Sequence, residues 1–206
     1  MFDHEIRVQL NVLPDICRAF GFGVGKGDGA EADDYLASAA RKEAAAGGTC
    51  VVFTNDRDAY QLVSPAIQVL SPRKGISDLV RIGEHEVVER FGVLPAQVPD
   101  WKALAGDPSD NIPGARGIGP KSAAAMLLRH GNLERVLERE DGRLGEQAEQ
   151  LLMFREMVRL RDTLEVELPE SCSPNWVAGA EALSAAGAET LSQRIAQRAH
   201  SQATLL

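Results

Sequence analysis

The chain has 206 residues, 44% of them hydrophobic and 25% charged, which is enough for one sizeable core, or one core with a small helical module, and excludes disorder over most of its length. A net charge of −8 excludes a protein that coats nucleic acid non-specifically, since such binding rests on neutralising phosphates with lysine and arginine. It leaves room for a local basic patch, and for a carboxylate site offset by bound cations. Cys17, Cys50 and Cys172 are far apart and form no C-x-x-C pair, so neither a disulfide framework nor a zinc ribbon is expected. Nothing near Met1 has the charged and apolar regions of a signal peptide, and no apolar run approaches the length of a membrane span, so a cytoplasmic protein with no membrane partner is expected.

Residues 6–20, IRVQLNVLPDICRAF, space their apolar positions as a helix does, with Pro14 marking a kink or a late start. The loop GFGVGKGDG follows; Phe20 and Gly27 stand where a phosphate-binding Walker loop needs glycine and Ser or Thr, so it reads as a flexible connection. Residues 31–46, EADDYLASAARKEAAA, are strong helix formers stopped by Gly47-Gly48. TCVVFT, 49–54, is the β-branched run of a buried parallel strand. NDRDAYQLV turns back into helix, IQVL and LVRI are shorter strands, and EHEVVERFG and PDWKALAG are helical. From about Ile112 onward only helices and turns follow, including a helix over 143–161 and two closing helices in EALSAAGAETLSQRIAQRA, with Trp176 as a core anchor. The expected class is therefore α/β, with a sheet domain over 1–105 passing into a helical module over 106–206.

Three acidic groups punctuate this pattern. Glu31, Asp33 and Asp34 open a helix, where acids also serve as caps. Asp56 and Asp58 follow the strand TCVVFT at its carboxyl end, where open α/β sheets bind ligands and where aspartates also close turns on their own backbone. Asp107 and Asp110 are three apart, on one face if that segment is helical, and fit an Asx-turn equally well. Together these groups fall at junctions that an α/β sheet gathers at one edge. Two unit charges 4 Å apart interact by about 4 kcal/mol at an effective dielectric of 20, so seven converging carboxylates call for cations. Oxygen ligands with no histidine or cysteine cluster point to Mg²⁺ or Mn²⁺ rather than zinc; His4, His85, His130 and His200 are scattered and read as surface residues. Paired hard cations on carboxylates suit displacement at phosphorus, one activating the attacking water and the other stabilising the leaving oxygen.

The stretch GDPSDNIPGARGIGPKSA, 106–123, sets Asp107 and Asp110 directly before a glycine-rich hairpin that enters a helix at about Gly119. Gly114, Gly117 and Gly119 allow close backbone approach, the hairpin amides and helix N-terminus can hold a phosphate, and Arg116 and Lys121 add positive charge. The acids would then cut, with metals, a nucleic-acid backbone that the hairpin positions. Arg73 and Lys74 in SPRKG fit a phosphate contact and a solvated loop equally.

EADD, TNDRDAYQLVS, SPRKGISDL and GDPSDNIPGARGIGPKSA resemble, in order and spacing, the motifs of the bacterial 5′-3′ exonuclease family, the flap-endonuclease type found fused to DNA polymerase I or standing alone; the likeness runs from about Ile6 to Glu138. The resemblance implies a PIN-like parallel sheet domain followed by a helix-hairpin-helix (helix-two-turn-helix) module over 112–130, in the stand-alone form. It implies that Glu31, Asp33 and Asp34 serve mainly one metal ion and Asp56, Asp58, Asp107 and Asp110 a second. Gly114, Arg116, Gly117, Ile118, Gly119, Lys121 and Ser122 would bind the duplex backbone, with a K⁺ ion on hairpin carbonyls around Gly117 to Gly119. The substrates implied are DNA 5′ ends, nicks and flaps.

One departure stands out: thirty residues precede Glu31, whereas the family begins with two aspartate-bearing strands and a basic helical arch. Asp3 lies in a polar stretch and is not assigned as a substitute. The sheet domain is therefore expected to be truncated at its N-terminus, with an apolar face or edge exposed and with weakened metal binding, unless a partner chain supplies the strands. Two functions follow: a two-metal 5′-3′ exonuclease and flap endonuclease, or a catalytically impaired duplex-DNA-binding remnant of one. A metal-dependent phosphatase is more distant, since it would leave the hairpin without a task.

Overall fold

The β-branched run does form a strand. A computed structural model of the chain describes residues 4–25, 29–170 and 173–203. In it β1 (Cys50–Phe53), β2 (Ile67–Pro72) and β3 (Leu79–Ile82) form one sheet in the order β1-β2-β3. β1 and β2 are parallel, with Val52 opposite Val69, while β3 runs antiparallel to β2, with Ile82 opposite Val69. The sheet is thus mixed, a correction to an all-parallel expectation. Residues 73–78 allow only a turn, closed by the Arg73 amide on the Asp78 carbonyl at 2.9 Å, whereas a parallel neighbour would need a crossover of a dozen residues or more. Arg73 and Lys74 are exposed in that turn.

Val52, Ile67, Val69 and Ile82 fall on one sheet face and are buried there. On the other face Val51 and Phe53 are 47% and 53% exposed, and β1 is an edge strand, so among the described residues the expected open apolar face and edge are both present. α2 (Ala32–Ala45) buries Ala37 and Ala40, side chains small enough to let it lie close to β1 and β2. α3 (Glu84–Phe91) follows β3, and α4 (Val98–Ala105) runs through the core with Val98, Ala103 and Leu104 fully buried. NDRDAYQLV contributes one 3₁₀ turn, Asp58–Leu62, rather than a longer helix.

α5 (Pro120–His130) and α6 (Leu133–Arg139) flank Gly131, whose carbonyl accepts from Gln97 Nε2 at 2.7 Å. The buried Asp100 of α4 accepts the Leu133 amide at 3.0 Å, and so holds the start of α6. Arg155 reaches Glu134 and, at 3.7 Å, Asp100 from α8 (Ala148–Val158), which follows the short α7 (Asp141–Leu144). The helix expected over 143–161 ends at Val158; the Arg159 amide makes the last helical bond, to the Arg155 carbonyl at 3.0 Å, and residues 159–166 run on as a strap outside any helix or strand.

Residues 29–166 make one compact unit; the segments before and after them make another. In the latter, α1 (His4–Ala19), which Pro14 does not interrupt, packs with α9 (Trp176–Ala185), and α9 with α10 (Glu189–Ala203). Trp176 is edge-on to Phe20 at 5.8 Å, the anchor it was expected to be, and Gly179 leaves the space that the Phe20 ring fills. By contacts the compact units divide at 28/29 and 166/167, since one core cluster runs from Ala37 to Val158. Cys172, the loop residues 26–28 and the side chain of His200 lie outside the described residues. Among the described residues no helix is long and apolar enough to cross a membrane.

Leu104 is fully buried where α4 meets the rest of the core. Leu104→Ala should lower the unfolding free energy by about 2–5 kcal/mol in urea titrations, through lost transfer energy and an unfilled cavity.

Candidate metal and nucleic-acid site

Asp58 opens the 3₁₀ turn after β1, and Asp107 and Asp110 bracket a second turn, Pro108–Asp110, that follows α4. Lys102, near the end of α4 with its side chain only 3% exposed, brings these acids together. Its ammonium contacts Asp58 Oδ1, lies 2.6 Å from Asp107 Oδ2 and 3.4 Å from Asp110 Oδ2. Local turn chemistry places each acid. Asp56 Oδ1 accepts the Asp58 amide at 2.8 Å, Asp107 Oδ1 accepts the Ser109 amide at 2.9 Å, and paired backbone bonds between Asp107 and Ile112 close the second turn. The turn-forming reading of these aspartates therefore holds, and the same turns bring Asp58, Asp107 and Asp110 around one ammonium.

The three acids divide one positive charge unequally. Burial raises the Asp58 carboxyl to about 6 against the pull of Lys102, with Asp56 and Asp110 pushing the same way. Burial also raises Asp107, but Lys102 and the two Ser109 donors outweigh it and hold that carboxyl below its usual range. Burial of Lys102 is likewise outweighed by Asp107 and Asp58, which keep it protonated beyond its ordinary range.

Glu31 is the N-cap of α2 and Asp33 lies in its first turn. Asp33 is raised by burial and then by Asp56, Glu31 and Asp34, so the first acidic group faces the second across Asp33 and Asp56. Asp34 has another environment. Its Oδ1 accepts the Arg161 amide at 2.9 Å; its Oδ2 accepts Arg161 Nε at 2.8 Å and the Glu31 amide at 3.3 Å, and pairs with Arg161 Nη2 at 2.6 Å. Burial raises Asp34, but the Arg161 amide and guanidinium with the Glu31 amide hold it below the usual carboxylate range.

Among the described residues, no three histidine, cysteine, aspartate or glutamate side chains stand as a ready-made metal cage. Asp58, Asp107 and Asp110 instead surround an ammonium. A buried ammonium already occupies the centre of an all-oxygen donor set, so the chemistry of these side chains fits a hard divalent cation. Lys102 was not anticipated from sequence. Its signal is a lysine in the otherwise apolar end of PDWKALAG, five residues before Asp107.

The hairpin after these acids runs close to α4. Gly114, at φ +75, leaves no room for a Cβ, which would stand 2.5 Å from the Gly106 amide nitrogen and 2.8 Å from the Leu104 carbonyl. Its close approach is thus to the protein's own backbone. Gly119 has open space and an extended backbone, and is the N-cap of α5. Arg116, Gly117, Lys121 and Ser122 are exposed, and the Lys121 and Ser122 amides lie in the first turn of α5, where no intrahelical carbonyl can take them. Ile118 differs from expectation: its side chain is in the core and its amide donates to the Ala115 carbonyl at 3.1 Å. The Gly117 carbonyl accepts Arg143 Nη2 at 3.1 Å, so a K⁺ ion there would have to displace that guanidinium. His130 also differs from a plain surface residue, since its buried Nε2 has no hydrogen-bond partner and lies 3.8 Å from Glu140 Oε1.

Residues 1–92 match the family profile of the 5′-3′ exonuclease N-terminal resolvase-like domain, and residues 93–175 that of the 5′-3′ exonuclease C-terminal SAM fold. The chain is 42% identical over 145 residues to DNA polymerase I of Mycobacterium leprae, covering 69% of this chain and 16% of that protein. It is 35% identical over 171 residues to a 5′-3′ exonuclease of Aquifex aeolicus, covering 80% of this chain and 57% of that one. A flap endonuclease of bacteriophage T5, solved in complex with DNA and metal ions, shares the fold with a TM-score of 0.61 at 19% identity, over 89% of this chain and 64% of that one. These likenesses agree with the expected α/β sheet domain passing into a helical module.

The raised Asp58 carboxyl has a thermodynamic consequence. Between about pH 4 and pH 6 the folded chain keeps a proton that the unfolded chain has released, so ionising Asp58 reduces stability as the pH rises through that window. In metal-free protein Asp58→Asn should remove this loss, becoming more stable relative to the wild type by up to about 3 kcal/mol at pH 7.5 while matching it near pH 4. Urea unfolding of both proteins across that range, with EDTA present, is the measurement.

Proposed function

Because this chain belongs to the 5′-3′ exonuclease family, we propose that it is a cytoplasmic, structure-specific 5′-3′ exonuclease and flap endonuclease, which hydrolyses phosphodiester bonds of DNA with two divalent cations, Mg²⁺ or Mn²⁺. The observation that carries this reading is the buried Lys102 ammonium held by Asp58, Asp107 and Asp110. These carboxylates converge as a cation site requires, and the lysine offsets their repulsion until a metal ion takes that role.

Asp56, Asp58, Asp107 and Asp110 would hold one cation, and Glu31 and Asp33, with Asp34 beside them, the other. Bound there, the ions supply a hydroxide-like nucleophile at neutral pH and offset charge on the leaving oxygen. The chain's own residues do the positioning. The exposed Arg116 and Lys121 side chains and the first-turn amides of α5 suit a phosphate of the duplex strand, holding it by charge and hydrogen bonds without reading bases. The turn Pro108–Asp110 directly precedes that hairpin, so the contact to the backbone and the acids that act on it share one short segment. Asp107 is held ionised by Lys102 and Ser109, ready to accept a cation.

The test is cleavage of a 5′-labelled flap duplex with Mg²⁺ by this chain and by the double variant Asp56→Ala with Asp58→Ala, with duplex binding followed in parallel. Mg²⁺-dependent cutting should fall by at least about 10²-fold in the variant while duplex binding persists, as removal of groups that act in the transition state does. Duplex binding with no cutting by the wild type would instead support the non-catalytic duplex-binding reading.

A further inference from the structure

Asp34 and Arg161 are 127 positions apart, yet they share three hydrogen-bonding and ionic contacts inside residues 29–166. The contact belongs to a longer seam. Asp34, Ser38, Arg41 and Lys42 recur at helical spacing along one face of α2, and the strap of residues 159–166 covers that face. Ser38 Oγ donates to the Arg161 carbonyl at 3.1 Å and accepts the Leu164 amide at 3.0 Å. Arg41 Nε pairs with Asp162 at 3.1 Å, and Lys42 Nζ donates to the Val166 carbonyl at 2.6 Å. Arg161 Nη2 also donates to the Gly29 carbonyl at 2.9 Å, which fastens the segment leading into Glu31 and Asp33.

The start of the strap is tied to the other acidic group. The buried Gln61 accepts the Leu160 amide at 3.1 Å through Oε1, and its Nε2 donates to the carbonyls of Val158 and Asp58, both at 2.9 Å. Residues 158–161 therefore hold the backbone of Asp58 at one end and the carboxylate of Asp34 at the other.

We propose, resting on the metal-dependent reading above, that this strap sets the separation of the two acidic groups, with Arg161 and Gln61 as positioning residues and Asp34 as the anchor of the bracket rather than a ligand facing the metal. A carboxylate has about four acceptor sites, and Asp34 already receives the Arg161 amide, Nε and Nη2 and the Glu31 amide. To bind a metal ion it would have to release the guanidinium that orders the start of α2. Held in place, it lets Glu31 and Asp33 keep a fixed distance from Asp56 and Asp58. Partners of this kind behind a metal site alter affinity about 10–100-fold when removed, through the ligands they orient.

The two roles for Asp34 predict opposite responses to loss of Arg161, which calorimetric titration of the full, metal-free chain with Mn²⁺ would separate. As an anchor, Arg161→Met should weaken Mn²⁺ binding about 10-fold or more, Asp34→Asn should do so to a similar extent, and the combined variant should be no worse than either, because both break one bracket. As a direct ligand, Asp34 freed of its competing cation would leave Mn²⁺ binding in Arg161→Met unchanged or tighter, and that result overturns the proposal. Arg161→Lys keeps the charge and loses the planar fork; it should also weaken Mn²⁺ binding, and it serves if Arg161→Met does not retain wild-type near-ultraviolet circular dichroism. Asp56→Ala with Asp58→Ala is the control. If the wild type binds no Mn²⁺, or if this double variant binds as the wild type does, the metal-site reading falls and the strap's role with it. If the control loses binding while Arg161→Met keeps it, the strap alone is refuted.

Discussion

Carboxylates brought within a few ångströms of one another repel strongly, and in this chain a single buried ammonium makes their approach tolerable. Lys102 can do this because α4 is fixed on both sides of it: Leu104 and Ala103 are sealed in the core, and Asp100 holds the start of α6. The helix end then delivers the lysine to Asp58, Asp107 and Asp110 at little further entropic cost, since the backbone carrying it is already ordered. The sheet contributes Asp58 through the turn after β1, and the chain beyond α4 contributes the other two acids, so the core of the larger unit is organised around this one charge. An ammonium is also exchangeable in a way that a covalent staple is not. It holds the acids together without closing the position to another cation.

The hairpin and the acids before it share one support. Gly114 presses against the backbone at residues 104–106, so the hairpin's first turn is seated on the same helix end that carries Lys102. The exposed Arg116 and Lys121 therefore stand on the same short segment as Asp107 and Asp110.

Much of this was legible where the signal was local. TCVVFT announced a strand, the acids at element junctions announced turns, and the glycine-rich run announced a turn into α5, because each depends on residues a few positions apart. What could not be read depends on distant partners. The polar stripe Asp34, Ser38, Arg41, Lys42 looks like an ordinary solvated helix face until the strap is seen to cover it, and the strap itself has the charged, apolar-spaced composition of a helix continuing from α8. Asp34 was grouped with Glu31 and Asp33 by adjacency, yet successive helical residues point in different directions, and its side chain faces Arg161. Ile118 is concealed for the same reason, as an apolar side chain that turns inward from a loop whose neighbours face solvent.

The packing of α1 with α9 bears on the order in which the protein takes shape during synthesis. A chain leaves the ribosome from its N-terminus, so α1 emerges before α9 and has to wait until α9 has been translated, more than 150 residues later, before Phe20 can meet Trp176 and Gly179. Residues 29–166 are complete sooner, since their last contacts, those of the strap on α2, are available once Val166 has been made. α1 is thus made well before it is secured, and in the interval Phe20 at its end, buried in the finished protein, is open to chaperones and to the nascent chains of neighbouring ribosomes.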